Sequence, residues 1–500
     1  MWIKTQSNLF RKINSNLSKQ KITMTRFLIL LSVFLFTIPS IAQQKWSLQQ
    51  CLDYAEKNNI VLQQSYLNED LAEIDLEQSK QNRLPFVNGG LTQQLNFGRS
   101  VDPTTYEFVT QTTPVTGLNL NGGIDLFTGW RNKYTIERND LSVKNAETQS
   151  LIQENNIALS IVTAYLDILN AREQIKVLQE QAKLTIDQRT RVEKLIAAGV
   201  LPKGDIYNLE AQIANDELSL VRAENIEELA RLNLAQLMNI EFIPDIQEPS
   251  LPPPSLDDLT AMSVDVIYRE ALKSQPEIKS SDLQESIAAL DINLAESGKY
   301  PQVSVFGGAN TNFVGLRLDE IQGFNFNGID TTFSFVSINN ETYPILEPSF
   351  VPEIGKGDVR PLFTQFGDNF SFNVGLSVQV PIFNRYQVKN NVRRAELSVK
   401  NAALQSTQAR NQLRQLIQQA YQTARAAAKV YETYLTNINS LEQNFNNLQK
   451  RYDAGVANVL ELQTAQNALS VARLNLNAAK YDYWFRLKVL DFYQGKQISF

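Results

Sequence analysis

The chain has 500 residues, with 47 lysines and arginines against 53 aspartates and glutamates, no histidine and one cysteine, Cys51. A charged fraction of 20% and a mean hydropathy of −0.25 exclude both a disordered chain and one that is membrane-helical throughout. With no histidine and one cysteine that lies inside a helical pattern, thiol, serine–histidine and histidine-ligated metal chemistry are excluded, and no phosphate-binding loop is present. We therefore predict that the protein is not an enzyme and has no cofactor or metal site.

The first 42 residues predict an export signal peptide. Arg26 precedes an apolar run over 27–38, and Ser40-Ile41-Ala42 provides a small–x–small cleavage pattern. Met24 is an alternative start, and the apolar run is too short for a membrane anchor. Removal of the signal leaves 41 positive charges against 53 negative ones, which disfavours nucleic-acid binding.

The rest of the chain reads as two tandem copies of one unit. Ser47-Leu48 with Ala55 recurs 216 residues later as Ser263-Val264 with Ala271, and the six residues at 141–146 recur letter for letter at 397–402, 256 residues later. The second copy therefore carries 40 extra residues. We predict repeat 1 over 43–242, a proline-rich linker over 243–260 and repeat 2 over 261–500.

Alternating apolar and polar residues predict two strands in each copy, at about 86–97 and 116–127, and at about 302–313 and 369–383. Segments of about ten alternating residues are typical of transmembrane β-strands, although strands of a soluble sandwich alternate too. The export signal and the uncharged Asn, Gln, Ser and Gly face favour the membrane. The residues over 311–369 are predicted to form a long extracellular loop.

Heptad spacing predicts two long helices in each copy, at about 130–198 and 203–240, and at about 387–454 and 458–493. At about 1.5 Å per residue the first helix would be roughly 100 Å long. Gly199 and Gly455 stand where each rod turns, because glycine caps a helix end in the left-handed conformation. A fibrous coiled coil is the alternative interpretation of these rods.

Four strands cannot close a membrane barrel, since the smallest outer-membrane barrels have about eight. An open sheet in lipid would leave unpaired backbone groups at both edges. The chain must therefore pool strands with copies of itself. Three copies give a plausible twelve-stranded pore, and dimers and tetramers also satisfy the argument.

The chain resembles the TolC family of outer-membrane efflux proteins over nearly its whole mature length. The resemblance depends on the order and duplication of several motifs. The most specific is an Ala-Gly-Val turn followed by an acid, which occurs as Gly199 with Asp205 and as Gly455 with Glu461. The others are Trp46-Ser47-Leu48, Leu84-Pro85 and Leu126-Phe127-Thr128-Gly129-Trp130. It implies an α+β membrane protein whose trimeric twelve-stranded β-barrel, four strands per chain, is continued by a long α-helical coiled-coil barrel built from two repeats.

The resemblance also implies partners and site residues. Homotrimers would work with a periplasmic adaptor and an inner-membrane transporter, in the outer membrane and reaching into the periplasm. Asp205, Tyr452 and Glu461 match gate or selectivity positions. The docking tip for the adaptor would consist of the two turns, Ala198, Gly199 and Val200 with Ala454, Gly455 and Val456. Ala457 and Thr464 replace an arginine and a second ring acid of some members, which implies a weaker or differently built lock. Asp205 and Glu461 could alternatively be helix-start acids favoured by the helix dipole.

The sequence therefore predicts a passive exit duct of a tripartite efflux pump or a type I secretion system. The rival hypothesis is a trimeric structural or adhesin-like surface protein without transport activity. A receptor that uses the 311–369 loop as its binding surface is a further alternative.

Overall fold

A computed structural model describes residues 45–101, 108–110, 112–241, 245–255, 263–315, 317 and 319–496. The predicted signal peptide and part of the predicted linker lie outside these residues. The chain divides into two compact units. Unit 1 comprises Met1–Gln63, Gln153–Ser274 and Gln415–Phe500, and unit 2 comprises Gln64–Ile152 and Gln275–Arg414.

The helices of the described residues are four long ones, four shorter ones in two pairs, and one of seven residues. In chain order they are α1 (Leu48–Asn58), α2 (Ile60–Gln81), α3 (Arg131–Ala197), α4 (Asp205–Met238), α5 (Val264–Ser274), α6 (Pro276–Ser297), α7 (Leu362–Asp368), α8 (Gln387–Asp453) and α9 (Val459–Tyr493). The strands are β1 (Phe86–Asn96), β2 (Arg99–Val101), β3 (Phe108–Thr110), β4 (Thr113–Phe127), β5 (Gln302–Val314), β6 (Asp319–Ile338), β7 (Glu341–Lys356) and β8 (Ser371–Gln379). Among the described residues, no helix has both the length and the apolarity to cross a membrane.

The long helices α3, α4, α8 and α9 begin and end within two residues of the predicted limits. No proline interrupts any of them, so the ladder of backbone hydrogen bonds continues through 67 residues in both α3 and α8. The helices α3 and α8 start 256 residues apart, and α1 and α5 start 216 residues apart. These are the two offsets of the sequence repeat, although the duplication itself stays an inference from sequence.

The shorter helix pairs, α1–α2 and α5–α6, were not predicted as separate elements. A capping box defines the start of α1, where the Ser47 hydroxyl accepts from the Gln50 amide and the Ser47 amide donates to the Gln50 side chain. Pro276 opens α6 at a position where its missing amide hydrogen costs nothing. Breaks at Asn59 and Gln275 shorten these helices, so the heptad signal that marks α3 and α8 does not develop in them.

The strands β1, β4, β5 and β8 form one antiparallel sheet in that order, within unit 2. The strands β1 and β8 are therefore its two edges. The strand predicted at 369–383 is shorter in the structure, Ser371–Gln379, and ends before Pro381, which has no amide hydrogen to donate to a ladder. The strand predicted at 116–127 begins earlier, at Thr113.

The two faces of this sheet differ in chemistry. Register places large apolar side chains of all four strands on one face, and most of them are exposed: Val87, Leu91, Leu95, Leu118, Leu120, Ile124, Val305, Phe372, Val374, Leu376 and Val378. The other face is mainly carboxamide, hydroxyl and glycine, with rows such as Asn88–Asn121–Gly308–Asn373 and Gly90–Asn119–Asn310–Ser371. This sheet has the polar Asn, Gln, Ser and Gly face that the sequence predicts, with Asp125 as the one charged residue of its four strands.

The segment predicted as a long extracellular loop is mostly ordered as a β-hairpin. The strands β6 and β7 pair antiparallel over 20 and 16 residues, and α7 follows them. The loop prediction was wrong because Pro344, Pro348 and Pro352 argue against a strand. All three have the same parity in β7, which is an edge strand of this two-stranded sheet, so their nitrogens can face away from β6.

The core of unit 1 packs α1, α3, α4 and α9 around Tyr165, Ile168 and Cys51. Residues Trp46 and Ile246 form a parallel bridge, and the Tyr165 hydroxyl contacts the carbonyls of Gln247 and Trp46. Burial raises the pKa of the Cys51 thiol to about 12, so this side chain is a neutral packing residue.

Contacts of Arg172 hold the linker against α3. Arg172 of α3 donates to the Glu227 carboxylate at 3.0 Å and to the Ile246 carbonyl at 3.1 Å, and it pairs with Asp245. The Arg172 guanidinium lowers the pKa of Asp245, against the opposing effect of burial.

We predict that Tyr165→Phe destabilises unit 1. The change leaves buried carbonyls without their donor, which costs about 1–3 kcal/mol. The helical circular-dichroism signal of the purified protein should melt at a lower temperature than that of the parent. Tyr207→Phe is the matched control, because Tyr207 is 69% exposed. Equal melting temperatures for both variants would contradict the role of the Tyr165 hydroxyl.

Candidate functional site

The two predicted docking turns lie at the ends of long helices in unit 1. Ala198, Gly199 and Val200 follow α3, and Ala454, Gly455 and Val456 follow α8. All six residues are exposed, and the two valines are 66% and 69% exposed. Each turn therefore presents one apolar side chain to its surroundings.

Backbone hydrogen bonds show why both helices end at glycine. The Val200 amide donates to the Leu195 carbonyl at 2.9 Å, and the Gly199 amide donates to Ile196 at 3.0 Å. The second turn repeats this pattern from Val456 to Arg451 at 2.8 Å and from Gly455 to Tyr452 at 3.0 Å. This is the Schellman arrangement, in which the glycine adopts a left-handed conformation. Its φ is +76° at Gly199 and +74° at Gly455.

A small apolar cluster brings the two turns together. Val192 of α3, Leu209 of α4 and Val459 of α9 are buried against one another, with Tyr452 of α8 packed beside them. The Arg191 guanidinium pairs with Asp453 across the same junction and lies 5.6 Å from the centre of the Tyr452 ring. The ends of four helices thus form one compact tip, although the two turns are more than 250 residues apart in sequence.

The structure places Tyr452 near Asp205, two of the three predicted gate residues. Asp205 is the first residue of α4 and is half-buried. The pKa of Tyr452 is raised, mainly by burial and further by the charges of Asp205 and Asp453, while Arg191 opposes the shift. The Tyr452 hydroxyl is enclosed and has no hydrogen-bond partner among the described residues. A buried hydroxyl without a partner is unusual and invites an explanation.

Glu461, the third predicted gate residue, has a local partner instead. The Asn458 side chain accepts from the Glu461 amide at 2.8 Å and donates to the Glu461 carboxylate at 3.0 Å. Asn458 is thus the N-cap of α9, and Glu461 completes a box-like pair with it. The carboxylate remains exposed. This geometry accounts for Glu461 as a helix-start acid without requiring a gate.

Sequence reasoning missed a band of buried polar side chains next to the tip. Asp216 is 5% exposed, and its carboxylate accepts from the Thr185 hydroxyl at 2.6 Å and from Gln212 at 2.7 Å. Gln188 donates to Gln466 at 2.7 Å. The amide nitrogen of Gln463 is buried with no partner among the described residues. Polar residues at positions of the heptad seam were the only signal that could have revealed this band.

Within the described residues, no group of three or more Cys, Asp or Glu side chains is placed to hold a metal ion. What the tip offers is two exposed turns, a compact junction of four helices and a set of half-buried ionisable groups. These are the components of a contact surface or a closure.

Comparison with known proteins shows which family the chain resembles. The model of the family described as outer membrane efflux protein matches residues 267–495. Outer membrane protein TolC of Escherichia coli is 20% identical over 458 residues, covering 91% of this chain and 83% of that protein. The resemblance to TolC-like outer membrane efflux proteins is confirmed.

Solved structures show the same fold. The outer membrane protein VceC of Vibrio cholerae has a TM-score of 0.65 and 16% identity, with 90% of this chain and 96% of that chain covered. The Campylobacter jejuni CmeC outer membrane channel has a TM-score of 0.65 and 16% identity, with 90% and 85% covered. The predicted combination of a four-stranded β-domain with long paired helices is therefore confirmed.

We predict that Gly199→Ala and Gly455→Ala each destabilise the tip by about 1–2 kcal/mol, because an L-residue is strained at positive φ. An added Cβ would meet no atom within 4 Å at either position, so the cost arises from the backbone alone. Gly204→Ala is the matched control, since Gly204 is right-handed helical and equally open. Amide hydrogen exchange at Val200 and Val456 should speed up in the two test variants and not in the control. Unchanged exchange would contradict the capping role of these glycines.

Proposed function

We propose that the protein is the exit duct of a tripartite efflux pump or a type I secretion system, passing substrates passively from the periplasm to the exterior. The observation that carries this proposal is the four-stranded sheet with two unpaired edges, one apolar face and one amide-lined face. An apolar face suits lipid, and an uncharged polar face suits a water-filled lumen.

Closure of the sheet requires copies of the same chain. The strands β1 and β8 each present a row of backbone groups with no partner strand. In lipid these groups must be satisfied within protein, so β1 of one chain pairs with β8 of the next. Three copies give twelve strands, the number implied by the resemblance, and ring closure removes every edge.

Aromatic pairs at the strand-to-helix junctions support a membrane location. Phe127 and Trp130 form an edge-to-face pair with ring centres 5.5 Å apart, and Phe383 and Tyr386 form another at 5.6 Å. Trp130, Phe383 and Tyr386 are more than half exposed. Aromatic girdles of this kind mark the membrane–water interface of β-barrels.

The tip is the proposed periplasmic gate and docking surface. The exposed Val200 and Val456 turns would meet the hairpins of a periplasmic adaptor, which in turn is bound to an inner-membrane transporter. Asp205 and Tyr452 would contribute to closure, because they lie near each other where the helix ends meet and the buried Tyr452 hydroxyl has no partner among the described residues. Glu461, held by Asn458, would contribute an exposed carboxylate to a selectivity ring.

We predict that the purified protein carries ionic current in a planar lipid bilayer and has the mass of a trimer in native mass spectrometry. The alternative function, a structural or adhesin-like surface protein, predicts no current. A closed tip would lower the current without abolishing it, so the tip variants below are measured in parallel. A water-soluble monomer, or a trimer silent in every variant, would refute the proposal.

We predict that Asp205→Asn and Tyr452→Phe increase the single-channel conductance several-fold if these residues close the tip. If Tyr452 is only a packing residue, Tyr452→Phe leaves the conductance unchanged and stabilises the protein, because it removes an unpaired buried hydroxyl. Tyr343→Phe in the β6–β7 hairpin is the matched control. A gate role for Glu461 additionally requires that Glu461→Gln lowers cation selectivity, whereas a pure capping role leaves selectivity unchanged.

A further inference from the structure

The strands β1, β4, β5 and β8 contain one charged residue among their 48 positions, Asp125 of β4. The carboxylate is exposed, and the described residues provide it with no hydrogen bond or ion pair. Its Cα partner in β5 is Ser304, whose partner in β8 is Ser377. Parity along β4 puts Asp125 on the same face as Asn119 and Asn121, the amide-lined face.

The adjoining row on this face carries two phenyl rings. Phe86 is paired with Gly123, and Gly123 is paired with Phe306, whose β8 partner is Gly375. A Cβ on Gly375 would lie 2.4 Å from the Phe306 ring, and one on Gly123 would lie 3.2 Å from the Phe86 ring. Each ring therefore lies over a glycine, against the sheet. Phe86 and Phe306 are still 59% and 46% exposed.

The carboxylate and the rings are close neighbours. Asp125 and Gly123 are two residues apart on one strand, so their rows are separated by about 6.4–6.8 Å. A register shift in the β4–β5 pairing follows Asp125, and irregularities of this kind re-aim neighbouring side chains. An anionic group beside the exposed faces of aromatic rings is the arrangement that recognises organic cations.

Two features separate this site from an ordinary polar strand surface. The rest of the face is uncharged, so no neighbouring strand residue neutralises Asp125. Of the cations near the ends of these strands, Arg131 contacts the Ser297 hydroxyl and Lys299 pairs with Glu296. A carboxylate in these surroundings attracts cations over about a Debye length, which is about 8 Å at physiological salt.

We propose that Asp125, Phe86 and Phe306 form a binding site for aromatic or quaternary organic cations on the amide-lined face of the sheet. The proposal deepens the conduit function and relies on it, because that face lines the lumen only if the sheet closes into a barrel. The site itself lies within one chain. In a trimer it would occur three times around the lumen, as a cation-selective ring of carboxylates beside six phenyl rings.

The test uses the full-length trimer with benzyltrimethylammonium as the probe and benzenesulfonate as an aromatic anion of opposite charge. Binding is measured by equilibrium dialysis, and block of the current is measured in planar bilayers. We expect the cation to bind and to block, and the anion to do neither. Asp125→Asn should lower the affinity for the cation about tenfold, because a charge is lost. Phe306→Leu should lower this affinity about threefold, because one cation–π contact is lost.

Matched controls come from the β6–β7 hairpin, where Asp330→Asn and Phe333→Leu make the same chemical changes at exposed positions. Both controls should bind the probe like the parent. Equal affinity for cation and anion, or unchanged affinity in Asp125→Asn and Phe306→Leu, would overturn the proposal. Cation binding in dialysis without any bilayer current would support the cation site and refute the conduit function. Bilayer current without cation binding would support the conduit function and refute the cation site.

Discussion

The constraint on which the whole arrangement depends is that backbone amide and carbonyl groups need partners wherever water is absent. Within the described part of the chain, the strands β1 and β8 have no partner strand on their outer sides, and one face that they share with β4 and β5 is too apolar for water. A sheet of this kind is stable in a membrane only when its edges are joined, and the proposed trimer would join them. The long helices do not face this constraint, because each satisfies most of its backbone hydrogen bonds internally.

Sequence reasoning located the long helices well for a physical reason. A heptad pattern repeated over 67 residues predicts a helix even where single residues depart from it. These stretches contain no proline that would argue for a break in the helix. The 11-residue α1 and α5 are too short for that averaging, and their limits depend on single caps such as Ser47. The β6–β7 hairpin was missed because local rules weigh each proline separately. The prolines at 344, 348 and 352 share one parity in the sequence itself, but only the pairing of β7 with β6 shows that their nitrogens can face away from the partner strand.

The candidate site likewise has features that the sequence predicts and features that it does not. Gly199 and Gly455 could be found from sequence, because a helix that stops at glycine needs a positive φ wherever it is placed. The proximity of Tyr452 to Asp205 could not, since it arises when the ends of α3, α4, α8 and α9 meet around Val192 and Leu209. Glu461 shows the limit of motif matching. Its position fits a family gate residue, while its hydrogen bonds with Asn458 fit an N-cap equally well, so only a functional readout separates the two.

The buried polar band beside the tip bears on both the stability of the helix bundle and the proposed closure of the tip. Thr185, Asp216 and Gln466 occupy positions where leucines would pack more stably, since hydrogen bonds inside a bundle mainly replace those made with water. The advantage of these polar side chains is that hydrogen bonds depend on direction and can be exchanged. Carboxamides and hydroxyls can exchange one partner for another as helices shift, whereas interlocked leucines must separate before they repack. The unpaired Gln463 nitrogen and Gln188 oxygen show that the band does not satisfy all its groups in this arrangement. A bundle built this way holds its register through specific contacts and resists rearrangement less than an apolar core, which are the properties that a closable tip needs.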